Sequence, residues 1–166
     1  MNIGVDCGVL GLDNKVQGGN YQLSLSLIVT LAQIDRKNLY RLYSITPIPK
    51  EIKDKLPANF LNIVVWPNKW WMQFGLSLEL IKNPVDVFLG LNQSLPFYCP
   101  CKSVVFVLDL AFKDFSFLFD NVTKISFMTK KTIQCADRII AISRSTKRDI
   151  TRVYKRRDNI DVVYLG

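Results

Sequence analysis

Three places in this chain hold residues whose types and spacing could do chemistry. Gly18 and Gly19 stand just before residues 20–35, a stretch with no helix breaker. If those residues form a helix, its N–H groups and dipole favour an anion there, and glycine lets a phosphate approach the backbone. A plain turn is the competing use of the pair. Asp109 closes the apolar run 103–108; it is either a site residue at a strand's end or the cap of a turn. Ser143 follows a second apolar run, 138–142, where a hydroxyl can cap the next helix.

Charge adds a fourth feature. The net charge is +8, and residues 124–157 alone hold eleven basic side chains against two acids. Such a field suits phosphates, anionic lipid or nucleic acid, or is a solvated helix face. Trp70 and Trp71, beside Lys69, are either core or a bilayer-interface patch. No histidine is present, which removes the commonest general base and any Cys/His zinc set. The four cysteines, Cys7, Cys99, Cys101 and Cys135, make no Cys-x-x-Cys pair and are expected to be free thiols of a reducing cytosol.

The elements that must position these residues alternate strand and helix. Short apolar or alternating runs predict strands at 2–7, 39–46, 60–66, 85–89, 103–108, 138–142 and 161–165. The glycines between 8 and 19, with Asp13 and Asn14, predict a loop. Helices are expected over 20–35, with Leu23, Leu27, Leu31 and Ile34 inward, over 69–82 and over 120–136. A last helix is expected after Ser143, with Ile150, Val153 and Tyr154 inward. One or two helical turns are expected at 50–56. This βαβ order predicts an α/β fold: one Rossmann-like three-layer sandwich with a mainly parallel sheet, spanning 1–166.

Several segments resemble a known family. ADRIIAISRSTKRDITRVY at 136–154, followed by DNIDVVYLG at 158–166, resembles the end of the N-terminal domain of family 4 glycosyltransferases of the GT-B type. VVFVLDLAF at 104–112 resembles that family's VVTVHDLAF, and Asp35-Arg36-Lys37-Asn38-Leu39-Tyr40 its D-P-x-N-x-Y. Gly18-Gly19-Asn20-Tyr21 resembles its glycine loop, with Asn20 where the family has Arg. Leu108 stands where the family has His, and Leu has no hydrogen bond to donate.

The resemblance implies half of a GT-B enzyme: the acceptor-side domain, with a C-terminal donor-binding domain as the missing half or a partner subunit. It implies a nucleotide-sugar substrate, a glycan or lipid-linked acceptor, no metal or other cofactor, and a cytoplasmic protein peripheral to the inner membrane face. It places Gly18 and Gly19 at the donor phosphates. Asp109, Phe112, Lys113, Ser143 and Ser145 would line the cleft, and Asp109 is the candidate for catalysis. Trp70, Trp71, Lys147, Arg148, Lys155, Arg156 and Arg157 would face anionic lipid or the acceptor. Loss of the His at Leu108 also admits an inactive binding module. No nucleic-acid motif accompanies the basic residues.

Overall fold

The structure, a computed structural model, describes residues 1–12, 18–114 and 121–165. Seven strands form one parallel sheet: β1 (Asn2–Asp6), β2 (Leu39–Ser44), β3 (Phe60–Val64), β4 (Val87–Gly90), β5 (Lys102–Val107), β6 (Arg138–Ala141) and β7 (Ile160–Val162). Their spatial order is β3-β2-β1-β4-β5-β6-β7. The chain therefore winds outward from β1 to one edge, returns to β4 beside β1, and winds to the other edge.

Crossovers between parallel strands are right-handed, so this path puts helices on both faces. Helices α1 (Gly19–Ile34) and α2 (Lys50–Lys53) cover one face. They enclose Val5, Leu42, Phe60 and Phe106 with Tyr21, Ile28 and Ile52. Helices α3 (Leu76–Lys82), α5 (Val122–Cys135) and α6 (Arg144–Tyr154) cover the other. There Leu76, Leu80, Ile133 and Ile150 pack on Phe88, Val105, Val107 and Ile139. Each such fully buried side chain contributes about 1.5–3 kcal/mol by leaving water. The expected Rossmann-like three-layer sandwich is what forms.

Several details differ from expectation. The buried residues of α1 are Tyr21, Leu23, Ser24, Ile28 and Ala32; of the four expected inward, Leu23 is buried, Leu27 and Leu31 are half-buried against the core, and Ile34 is exposed. The segment is apolar nearly all round, so its leucines do not single out one face. Residues 69–82 are not one regular helix: Trp70 is left-handed (φ 61°), Trp71–Gly75 is a wide π turn, and α3 begins at Leu76. β7 ends at Val162 because its partner β6 ends at Ala141, whose carbonyl takes the last rung from Val163 N–H at 3.0 Å. A short helix, α4 (Ala111–Asp114), follows β5 where only a loop was expected. Asp13, Asn14, the expected helix start at Asp120 and Gly166 lie outside the described residues.

The D-x-x-N-x-Y segment is an architectural knot. The Asp35 carboxylate accepts from Lys37 N–H (2.9 Å), Asn38 N–H (3.2 Å), Asn38 Nδ2 (2.6 Å) and Tyr40 OH (2.8 Å), which turns the chain from α1 into β2. Those donors, Asn38 foremost, hold the carboxyl well below the usual carboxylate range. Burial and the Asp35 bond push the Tyr40 phenol up to about 12.

Candidate functional site

A cavity of about 600 Å³ opens at the carboxyl edge of the sheet, a volume within the usual range of small-molecule sites. Strand order reverses between β1 and β4, so the loops leaving those strands diverge and leave a crevice. Asn20 enters it from the first turn of α1, Asn92, Gln93 and Ser94 from the loop after β4, and Leu108, Asp109 and Phe112 from the end of β5. Lys124, Ile125 and Met128 of α5 form the far wall.

The α1 side is an uncommitted helix start. Gly18 caps the helix with no side-chain hydrogen bond, in ordinary extended backbone (φ −80°, ψ 178°). A methyl group added at Gly18 or Gly19 would meet nothing within 4 Å. Neither a left-handed turn nor packing among the described residues therefore calls for glycine. Among the described residues, space is left before the positive end of this sixteen-residue helix, but neither glycine lines the cavity, and Gly19 lines a separate groove with Gln22 and Leu23.

Behind the cavity sits a residue the sequence reading passed over. Asp6, the last residue of β1, is fully buried. Its carboxylate accepts from Gly8 N–H (3.1 Å) and Asn92 Nδ2 (2.9 Å). Burial pushes this carboxyl up, and the hydrogen bonds from Asn92 and Gly8 oppose the shift. The carboxylate takes the Asn92 amide nitrogen, and the Asn92 oxygen is buried with no partner among the described residues. The Gln93 amide oxygen is likewise buried and unpaired, and Gln93 is left-handed (φ 53°). Buried polar atoms without partners are uncommon, and both residues line the cavity, although the two oxygens themselves are shielded from solvent. The rule that singled out Asp109, a polar residue closing an apolar strand, applies equally to Asp6. The Asp6–Asn92 pairing, 86 residues apart, has no local signal.

The expected site residues divide. Asp109 caps a turn, one of the two uses considered for it: its Oδ1 accepts from Ala111 N–H (3.0 Å) at the start of α4, and the residue also lines the cavity. Phe112 is buried and forms part of the wall. Leu108 lines the cavity, and its carbonyl accepts from Thr146 Oγ1 at 2.9 Å. Lys113 turns away from the cavity, bonding Ser126 Oγ and lying 5.7 Å from the Tyr154 ring centroid. Ser143 is spent as the α6 cap, accepting from Thr146 N–H at 3.0 Å, and Ser145 is exposed outside the lining.

The basic residues do not form one free face. Arg156 folds back over the end of α5, donating to the carbonyls of Ile133 (3.1 Å), Gln134 (3.3 Å), Ala136 (2.8 Å) and Asp137 (3.3 Å). Lys147 donates to the Ile160 carbonyl at 2.6 Å, tying α6 to β7. Its stem joins Arg144, Arg148, Thr151 and Arg152 along an open groove on α6. Lys155, left-handed at the helix end, and Arg157 are exposed.

The tryptophans also part company. Trp71 packs edgewise on Gly8, where any Cβ would fall 2.4 Å from its ring. Trp70 is exposed and starts an aromatic ladder: its ring meets Phe74 (6.5 Å between centroids), which meets Phe97 (5.4 Å). Lys124 lies 4.7 Å from the Trp70 centroid and Lys131 4.0 Å from that of Phe97. Lys124 also lines the cavity, so the ladder borders its mouth. No helix among the described residues is long and apolar enough to cross a membrane. No family model matches this chain, and no curated protein matches it.

Proposed function

We propose that this chain is the acceptor-side domain of a glycosyltransferase. Working with a second, donor-binding domain or a partner subunit, it would move a sugar from a nucleotide-sugar to a glycan or lipid-linked hydroxyl. The observation that carries the proposal is the cavity at the strand-order reversal. One volume is lined by Asn20 from the first turn of α1, by Asn92 and Gln93 of the loop after β4 and by Asp109 after β5, with Gly18 and Gly19 just before Asn20 and outside the lining. Phosphate suits the helix end; sugar hydroxyls suit the side-chain amides.

In this assignment the donor diphosphate lies toward Gly18 and Gly19, with the Lys124 ammonium on the opposite wall. Backbone dipoles already aimed at that point stabilise charge as the sugar–phosphate bond breaks, at no cost in reorganisation. Asp109, exposed at the mouth, is the carboxylate placed to meet the acceptor hydroxyl. The nucleotide-sugar is a substrate, and no resident metal is invoked.

The aromatic ladder supports a lipid-linked acceptor. Tryptophan and phenylalanine beside lysine suit the headgroup region of an anionic bilayer. The protein would then sit on the cytoplasmic side of a membrane, as a peripheral protein, with the cavity mouth at the surface.

The test is transfer and hydrolysis with a panel of nucleotide-sugars, on the chain joined to a donor-binding domain. Flotation with anionic and neutral vesicles runs beside it. Turnover with at least one donor, lost on Asn92→Ala, and flotation with anionic vesicles only are the expected results. A folded protein that turns over no donor overturns the enzyme assignment. It leaves the binding-module alternative, which Leu108 favours by offering no hydrogen bond where the cavity meets β5.

A further inference from the structure

A second, smaller cavity of about 120 Å³ lies behind the main one, with Met128 contributing to both. Cys99, Cys101, Cys135, Lys131, Thr132 and Asp137 are among its walls. The Cys99 and Cys101 sulfurs are 3.5 Å apart, in hydrogen-bond contact. Cys99 Sγ also lies 3.7 Å from the Cys101 carbonyl oxygen. Pro100 between them fixes its own φ and stiffens the turn. The flanks are pinned as well: Tyr98 N–H donates to Ser77 Oγ (3.2 Å), and Ser103 N–H to the Asp137 carboxylate (2.9 Å). The two thiols are therefore held face to face in a half-buried pocket.

We propose that Cys99 and Cys101 form a redox-active dithiol, closed to an intramolecular disulfide by hydrogen peroxide and reopened by a small thiol. The site is independent of the glycosyl-transfer proposal. The Cys99 thiolate attacks the peroxide, the O–O bond breaks, and hydroxide leaves to become water, giving a sulfenic acid. The Cys101 sulfur then attacks the Cys99 sulfur. An S–S bond forms, the S–O bond breaks, and the hydroxyl leaves with the thiol proton as a second water. Two thiols are oxidised by two electrons and one peroxide is reduced to two waters.

Cys99 is assigned as the attacking sulfur: contact with the Cys101 sulfur, in which either atom can donate, lowers the Cys99 thiol and raises that of Cys101. Closure brings the sulfurs from 3.5 Å to a bond of about 2.05 Å. The other two cysteines are internal controls. Cys7 is fully buried, and burial pushes its thiol well up. Cys135 is exposed on the far wall of the pocket.

The test is a hydrogen peroxide titration of the chain, followed by thiol counting in denaturant and peptide mass mapping. Of the four cysteines, two thiols are expected to disappear, and the peptide holding both Cys99 and Cys101 to lose two hydrogens. Dithiothreitol restores all four. In Cys101→Ser, Cys99 stalls as a sulfenic acid that dimedone labels; in Cys99→Ser, Cys101 stays reduced. Circular dichroism checks that each variant folds. A cross-link to Cys135, overoxidation of Cys99 without a disulfide, or an unlabelled Cys99 in Cys101→Ser each overturns the proposal.

Discussion

Replacing Asn92 with Ala tests whether Asp6 and Asn92 together build the candidate site. The substitution removes the 2.9 Å bond from Asn92 Nδ2 and leaves the fully buried Asp6 carboxylate with backbone N–H groups only, those of Gly8 and residue 92. Losing a hydrogen bond to a buried charged group costs about 1.5–3 kcal/mol, and to a neutral one about 1 kcal/mol. The cost should therefore depend on pH. Burial raises the folded-state pKa of Asp6, so its contribution to stability is greatest below the unfolded value near 4 and is lost as pH rises through the folded value. Asn92→Ala removes a group that opposes that rise, which steepens the loss. Denaturant melts of parent and variant at pH 7 and at pH 4 should differ by ~2 kcal/mol at the higher pH and by roughly half that at the lower. At neutral pH this corresponds to a fall in Tm of about 4–8 °C. Asn92→Asp should be worse at pH 7 and recover on acidification, because two adjoining carboxyls cannot both stay ionised. A cost that is equal at both pH values, or absent, refutes the linkage, and with it the claim that Asp6 holds the Asn92 amide at the cavity.

Arg156→Met keeps the apolar stem but removes the donors to the last carbonyls of α5. It should lower stability by about 2 kcal/mol, or Tm by roughly 4–8 °C in a thermal melt, without weakening flotation with anionic vesicles. The opposite pattern, unchanged Tm and weakened flotation, would return Arg156 to the anionic face. Asp35→Asn should narrow the stability gap to the parent as pH falls. The Asp35 pKa is depressed, so its contribution is present above the unfolded value near 4 and is lost below it. Thermal melts at pH 7 and pH 3 decide this, and a gap that widens on acidification would contradict it.

The architecture was legible because local and global signals agree along most of the chain. Apolar runs such as 103–108 and 139–142 are buried or half-buried on the two faces of a parallel sheet, and such runs read as strands with little ambiguity. Ser143 reads as a cap because the physics of capping is local, and its Oγ does accept from Thr146 N–H. Legibility fails where a residue's partner is distant. Nothing near position 92 announces that Asp6 will claim its amide nitrogen. Nothing near position 156 announces that a guanidinium in a basic run will close the helix that ends twenty residues earlier. A charge count treats Lys147 and Arg156 like Lys155 and Arg157, yet the first two are spent on carbonyls.

The same contrast bears on what the segment 136–154 can reveal about activity. Ala136 is buried, and its carbonyl accepts from Arg156. Asp137 accepts from Ser103 N–H and Oγ and from Lys102 Nζ, binding the start of β5 to the end of α5. Arg138 pairs with Asp161 at 2.7 Å across β6 and β7, Ser143 caps α6, and Thr146 reaches back to the Leu108 carbonyl. Each of these residues stitches the last crossover of the sheet, and none of them lines the cavity. A sequence pattern built on such residues speaks to how the edge of the sheet is assembled and says little about the reaction. The proposed chemistry belongs instead to the cavity between α1 and α5, lined by Asn20, Asn92, Gln93 and Lys124. Substitutions at those positions, rather than within 136–154, are therefore the ones able to separate a glycosyltransferase from a binding module of the same fold.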